Sequence, residues 1–171
     1  MPTPAQKAPA LDVALTAGGR WDAHAQAPDT FTVIIFYRGK HCPICRDYLK
    51  AASGIIGDYA DFGAHMIAVS MDSEERAKAS YEEWDLGGLP IGYEMTEAQA
   101  RDWGLFLSSK REGSEEPDLF SEPGLAVLDP EGKVVFTHVQ NAPFTRPDLE
   151  KLLSGLKFIH KNDYPIRGTA G

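Results

Sequence analysis

The chain has 171 residues, 43% of them hydrophobic, and a formal net charge of −8. That is enough apolar material for one globular core and too much for a disordered chain, and the acidic balance excludes nucleic acid and anionic membrane surfaces as partners, since the basic residues form no patch. Two cysteines exclude a disulfide-stapled scaffold, and without a basic-then-apolar leader or a run near the ~20 apolar residues of a bilayer span the expected location is cytoplasmic.

Residues 1–10, rich in Pro and Ala, are expected to form a flexible arm, 11–164 a single domain, and 165–171 a flexible tail. LDVALTAGG offers a short strand ended by Gly18–Gly19. FTVIIFY (31–37) is almost wholly apolar and β-branched or aromatic, as a central strand covered on both faces requires. A helix follows at once. Pro43 suits a first turn, where its missing N–H costs nothing, and Cys45, Tyr48, Leu49, Ala52, Ile56 and Tyr59 recur on one face. HMIAVSM (65–71) is a second buried strand, which makes a βαβ unit.

Asp72 with Glu75 resembles a cap opening a helix to about Trp84. IGYEM is a short strand, and Thr96-x-x-Gln99 a capping box for a short helix ended by Gly104. Residues 107–123 are polar and charged and read as a long mobile loop of the lid type. LAVLDPEGKVVFTHV reads as a hairpin whose Asp129-Pro130-Glu131-Gly132 turn has type I preferences. A last helix is expected from near Thr145, with Leu149, Leu152, Leu153, Leu156 and Ile159 as its buried stripe. The order βαβ–α, then a β–α insertion, then ββα predicts an α/β fold with a mixed central sheet flanked by helices.

The chemistry centres on FYRGKHCPICRD (36–47). Strand 31–37 ends just before the cysteines and the helix begins at them, so Cys42 falls at the helix N-cap, among unpaired N–H groups and the positive end of the macrodipole. Such placement lowers a thiol pKa from ~8.5 into about 3.5–7.5, and the thiolate is the nucleophile. Cys45, one turn in on the apolar stripe, is expected to be more buried and less ionised. Residues three apart on a helix lie within disulfide reach. Cys42 is therefore read as the attacking thiolate and Cys45 as the resolving thiol, an external thiol resetting the pair.

A zinc clip would need about four ligands, and His24, His65, His138 and His160 show no ligand spacing; no metal and no cofactor is expected. Two inert buried thiols are the bland alternative, disfavoured because strand-end-to-helix junctions are where α/β sheets place their sites. His41 stands next to Cys42, either tuning it or shuttling a proton, or merely as an exposed loop imidazole. Tyr37 and Trp21 either flank the site or pack the core.

The strand–CPIC–helix junction, the βαβ–α–ββα order and SEPGLAVLDPEGKVVF resemble the thioredoxin fold. VIIFYRGKHCPICRDYL is similar to the FYRG-x-x-CPxCR signature of the peroxiredoxin-like branch of the alkyl hydroperoxide reductase / thiol-specific antioxidant family. LPIGYEMTEAQARDWGL resembles that family's inserted strand and helix. The thioredoxin resemblance implies a cis-proline facing the dithiol at Pro123. The family resemblance implies thiol-dependent hydroperoxide reduction. Disulfide exchange on proteins or small disulfides is the alternative within the same chemistry. A non-catalytic binding or redox-sensor module, recruiting a partner through 107–123, is the alternative outside it. The implied partners are a hydroperoxide or disulfide substrate and a thiol reductant of the thioredoxin, glutaredoxin or glutathione type; a homodimer is compatible.

The chain departs from the family's P-x-x-x-T-x-x-C pattern. With Cys45 at the peroxidatic position, Cys42 replaces the threonine and Arg38 the proline; with Cys42 there, Gly39 and Ile35 fall at those positions. The family's distant arginine falls at Pro123. Arg38 is the candidate for the missing positive charge, with a solvated arginine at a strand end as its alternative.

Overall fold

A computed structural model describes residues 2–170; Met1 of the expected arm and Gly171 of the expected tail lie outside the described residues. Strands β1 (Asp12–Leu15) and β2 (Arg20–Asp22) form a hairpin around Gly18 and Gly19, both at positive φ. The apolar run becomes β3 (Thr32–Phe36), every residue of which is buried. It leads into α1 (Pro43–Asp61), whose buried residues Cys45, Leu49, Ala52 and Tyr59 lie on the expected stripe. Then come β4 (His65–Val69), α2 (Glu74–Glu83), β5 (Ile91–Tyr93) and α3 (Glu97–Asp102), the last opened by the Thr96–Gln99 capping box. Two further hairpins follow, β6 (Leu107–Ser109) with β7 (Leu119–Ser121) and β8 (Gly124–Leu128) with β9 (Val134–Val139), before α4 (Leu149–Asn162).

The main sheet runs β2-β1-β5-β4-β3-β8-β9. Strands β3, β4 and β5 are mutually parallel, while β8 pairs antiparallel with both β3 and β9. This is the thioredoxin arrangement, with β5 and α3 as the peroxiredoxin-type insertion and a mixed sheet between helices. Alternation along β3 divides the core between the two faces of the sheet. Val33, Ile35 and Tyr37 join the cluster that contains both cysteines and Leu153 of α4. Ile34 and Phe36 join Trp103, Leu105 and Trp21 on the other face. Among the described residues no helix is long and apolar enough to cross a membrane.

Four expectations need correction. Residues 107–123 are not a loose lid: Leu107 pairs with Ser121 and Ser109 with Leu119, and Glu116, Phe120 and Glu122 are buried. Of its charged residues Glu116 and Glu122 turn inward, Glu116 meeting Arg38 and Arg111 and Glu122 meeting Arg38, while the others stay exposed. Ser73, not Asp72, caps α2, accepting the Arg76 N–H; the buried Asp72 carboxylate takes the Arg76 side chain and the Lys40 N–H instead. The last helix starts at Leu149 with Asp148 as its cap, four residues later than expected, because Pro147 removes a donor and biases Arg146 away from helical backbone. Part of the N-terminal arm is tied down, with Ala5 and Ala8 donating to Val134 and Gly132 and Ala8 buried.

Candidate active site

The site is built on one loop between β3 and α1. Gly39 adopts φ 130°, a conformation open to glycine, and its Cα faces the Asp72 carboxylate so closely that a Cβ would stand 2.7 Å from Oδ1. Asp72 accepts the Lys40 backbone N–H at 2.7 Å and the Arg76 Nε at 3.0 Å. A buried carboxylate thus holds the bend that delivers Cys42 to the helix start. Burial raises the Asp72 pKa above its ordinary value, and the Lys40 N–H and Arg76 oppose that rise.

Cys42 is the N-cap of α1, its sulfur accepting the Cys45 backbone N–H at 3.2 Å. Pro43 occupies the first helical position, exposed, where no donor is missed. Both cysteines are free thiols, Cys42 1% and Cys45 0% exposed. Hydrogen bonding from the Cys45 side chain, helped by that backbone N–H, Arg38 and Arg146, outweighs burial and holds Cys42 at about 6 rather than the ordinary 9.0. Burial first, then the hydrogen bond to Cys42, pushes Cys45 well above 9.0. The two sulfurs share one proton, and Cys45 keeps it.

Cys42 lines a cleft of about 350 Å³ together with Arg38, Ile44, Glu122, Pro143 and Phe144. Arg38 is largely buried, with Nε 3.2 Å from Glu122, Nη2 3.5 Å from Glu116 and its guanidinium 4.8 Å from the Phe120 ring centre. It is not a solvated arginine but one fixed by the β6–β7 hairpin. The Arg111 backbone N–H is the main reason Glu116 sits at about 2, so this carboxylate stays charged.

The other sequence candidates divide. Tyr37 is fully buried in the core that holds the two sulfurs, edge-on to Trp84, and burial raises its pKa so that it stays neutral. Trp21 packs on the opposite face of the sheet. His41 lies against Phe120, ring centres 4.7 Å apart, and lines a different cleft with Lys40 and Arg76. Burial, then Arg38, lowers it to about 4, so it is neutral at pH 7 and lends Cys42 no charge.

Pro123 is buried, and the expected cis bond is absent: every peptide bond of the described residues is trans. Its carbonyl accepts the Gln140 N–H at 3.0 Å, continuing the β8–β9 ladder by one residue, which extended trans backbone satisfies.

Arg146 was not singled out from sequence. Its Nη2 is 2.9 Å from Cys45 Sγ, and its guanidinium sits 4.9 Å from the Tyr48 ring centre. Tyr48 in turn donates to the Pro147 carbonyl at 2.7 Å. An arginine one hundred residues beyond the dithiol carries no local signal. Only Pro147, which keeps Arg146 out of the helix, hinted that this segment turns elsewhere.

Residues 4–137 match the model of the AhpC/TSA family. No curated protein sequence matches the chain significantly. Among solved structures it resembles the peroxidoxin BcpB of Mycobacterium tuberculosis, with 16% identity, a TM-score of 0.74, and coverage of 93% of this chain and 99% of that one. The AhpC of Enterococcus faecalis gives 16% identity and a TM-score of 0.76 over 97% of this chain and 99% of the other. The bacterioferritin comigratory protein of Xanthomonas campestris, described for alkyl peroxide reduction, gives 20% and 0.67 over 86% and 90%. At these identities the likeness is one of fold.

Proposed function

This chain belongs to the AhpC/TSA family, and from that premise we propose that it reduces hydroperoxides through a Cys42/Cys45 dithiol–disulfide cycle. One observation carries the reading: a sulfur held as thiolate at a helix N-cap opens on a cleft beside a fixed arginine, with a second sulfur directly behind it. At pH 7 a thiol of pKa 6 is about nine-tenths ionised, against about one part in a hundred at 9.0.

In the first step the Cys42 thiolate attacks one peroxide oxygen. An S–O bond forms, the O–O bond breaks, sulfur is oxidised by two electrons, and the departing alkoxide takes a proton to leave as alcohol. In the second, Cys45 sulfur attacks Cys42 sulfur; the S–S bond forms and the hydroxyl leaves as water. An external thiol of the thioredoxin, glutaredoxin or glutathione type then returns both sulfurs to the reduced state. Recycling of this kind suits a reducing, cytoplasmic setting.

The near-complete burial of Cys42 favours this reading over disulfide exchange. The terminal oxygen of a hydroperoxide can enter a narrow cleft, whereas a protein disulfide must bring two sulfurs and their backbone in line. Disulfide exchange is favoured by a Cys-x-x-Cys pair facing a cis-proline, and with the bond before Pro123 trans only the cysteine pair remains in its support.

The test is stopped-flow consumption of hydrogen peroxide and of an organic hydroperoxide by the reduced protein. A second-order rate far above that of free cysteine is expected, abolished by Cys42→Ser. With Cys45→Ser the sulfenic acid should form and persist. A wild-type rate no better than free cysteine would sink the peroxidase reading, and full activity in Cys42→Ser would remove the dithiol from the chemistry.

A further inference from the structure

We propose that Arg146 is the residue that ionises Cys45 for the resolving step, so that each sulfur has its own cation: Arg38 beside Cys42 and Arg146 on Cys45. This rests on the peroxidase reading above and adds to it the identity of the resolving-step activator.

The geometry is specific. Arg146 Nη2 donates to Cys45 Sγ at 2.9 Å, whereas Arg38 lies in the Cys42 cleft. Arg38 is neutralised by Glu116 and Glu122. Arg146 is not: among the described residues no carboxylate forms an ion pair with it, and its Nε and Nη1 are buried without an acceptor. The Tyr48 ring face holds the cation in place but cannot accept those N–H groups as an anion would. A guanidinium does not shed its proton, so a half-buried one with no carboxylate partner favours negative charge on whatever group it touches. The group it touches is Cys45 sulfur.

In the resting protein that pull is opposed. Burial opposes it most, and the Cys42 thiolate adds to that by standing beside Cys45 and using the Cys45 proton as a hydrogen-bond donor. Reaction with peroxide turns Cys42 into an uncharged sulfenic acid and removes the opposing charge. Burial still opposes ionisation, but Arg146, helped by the Arg38 backbone N–H, now pulls with no anion against it; the Cys45 proton leaves, and the Cys45 thiolate attacks Cys42 sulfur. The S–S bond forms as the S–O bond breaks, and the released hydroxide combines with the proton to give water. The activation of Cys45 is thereby timed to follow the oxidation of Cys42. The other groups facing the pair leave this order intact. Tyr37, from the end of β3, and Tyr48, from α1, both have raised pKa values and stay neutral. The negative charges of Asp72 and Asp148 add to those rises, at Tyr37 and Tyr48 respectively.

The experiment mixes wild-type, Arg146→Lys and Arg146→Met protein with one equivalent of hydroperoxide between about pH 5.5 and 9.5. Acid quenching and mass spectrometry follow the one-oxygen sulfenic species and the disulfide separately. Arg146 is the smallest of the influences that hold Cys42 at about 6, so at neutral pH Arg146→Met should form sulfenic acid within about twofold of the wild-type rate but close the disulfide about tenfold or more slowly. The pH midpoint of that second step should rise by about a unit, one unit being a tenfold change in ionisation. Arg146→Lys should recover part of the rate.

A second measurement needs no peroxide. In Cys42→Ser protein, adding Arg146→Met should raise the alkylation midpoint of Cys45 by about the same unit. Wild-type closure rate and midpoint in Arg146→Met would overturn the proposal. So would equal slowing of both steps, which would place Arg146 in the service of Cys42, and so would an unmoved Cys45 midpoint. A wild-type protein that forms no sulfenic acid would instead overturn the peroxidase reading and this step with it.

Discussion

At the scale of single residues, the site is a contest between burial and hydrogen bonding at two sulfurs only three positions apart. Burial alone would raise both thiols. Cys42 escapes because, as N-cap, it accepts the Cys45 N–H and the Cys45 side chain, while Cys45, inside the first turn, gives the proton that stabilises its neighbour. The order of the two pKa values thus follows from which sulfur caps and which one donates. Alkylation followed by mass spectrometry should give Cys42 a midpoint near 6 and leave Cys45 protonated well above 9.0. Arg38 ranks below both hydrogen bonds among the causes, so Arg38→Met should raise the Cys42 midpoint by less than about one unit. A larger rise would make Arg38, rather than the helix cap, the source of the thiolate. The N-cap position was legible from the strand-to-Pro43 junction. The partner of Cys45 was not, since Arg146 is brought to it by the path of the chain after β9.

At the scale of elements, legibility tracked periodicity. The β3 run, the α1 stripe and the Thr96–Gln99 box each announce themselves within a few residues, and each formed where expected. The β6–β7 hairpin carries no apolar alternation, so it read as loop. Its buried Glu116 and Glu122 make sense only once Arg38, some eighty residues earlier, is placed beside them. The loop between β3 and α1 is the other element whose logic is tertiary. Gly39 at φ 130° presses on Asp72, and Asp72 holds the Lys40 N–H. Gly39→Ala should therefore cost about 1–3 kcal/mol from the backbone conformation alone. The added Cβ would also displace Asp72, releasing Lys40 and loosening the turn that presents Cys42. Urea unfolding should show the loss of stability, and peroxide consumption should fall with it. A fully stable and fully active variant would mean that the bend is set by something other than the Gly39–Asp72 contact.

At the scale of the whole molecule, both sulfurs belong to one of the two cores, so the dithiol ties the stability of the fold to its ionisation and redox state. Cys42 has a folded pKa of about 6 and an unfolded one near 9.0. For an acid whose folded pKa is depressed, the extra stability is fully present above the unfolded value. It declines as pH falls from 9.0 and is gone once pH has passed below about 6. One unit above the folded pKa, near pH 7, it amounts to about 1–2 kcal/mol. In a chain of this length each kcal/mol moves the melting temperature by about 2–4 °C. Reduced wild type should therefore melt several degrees above Cys42→Ser near neutrality, the gap widening toward pH 9 and closing toward pH 6. The same thiolate is consumed when the disulfide forms, so the fold favours the reduced pair and makes the disulfide easy to reduce. In the proposed cycle the breaking of the O–O bond drives oxidation by peroxide regardless, and the weakly held disulfide would then be open to a modest thiol reductant. A melting gap that does not vary with pH would show that Cys42 is not ionised in the folded protein, and the ease of recycling argued from it would fall as well.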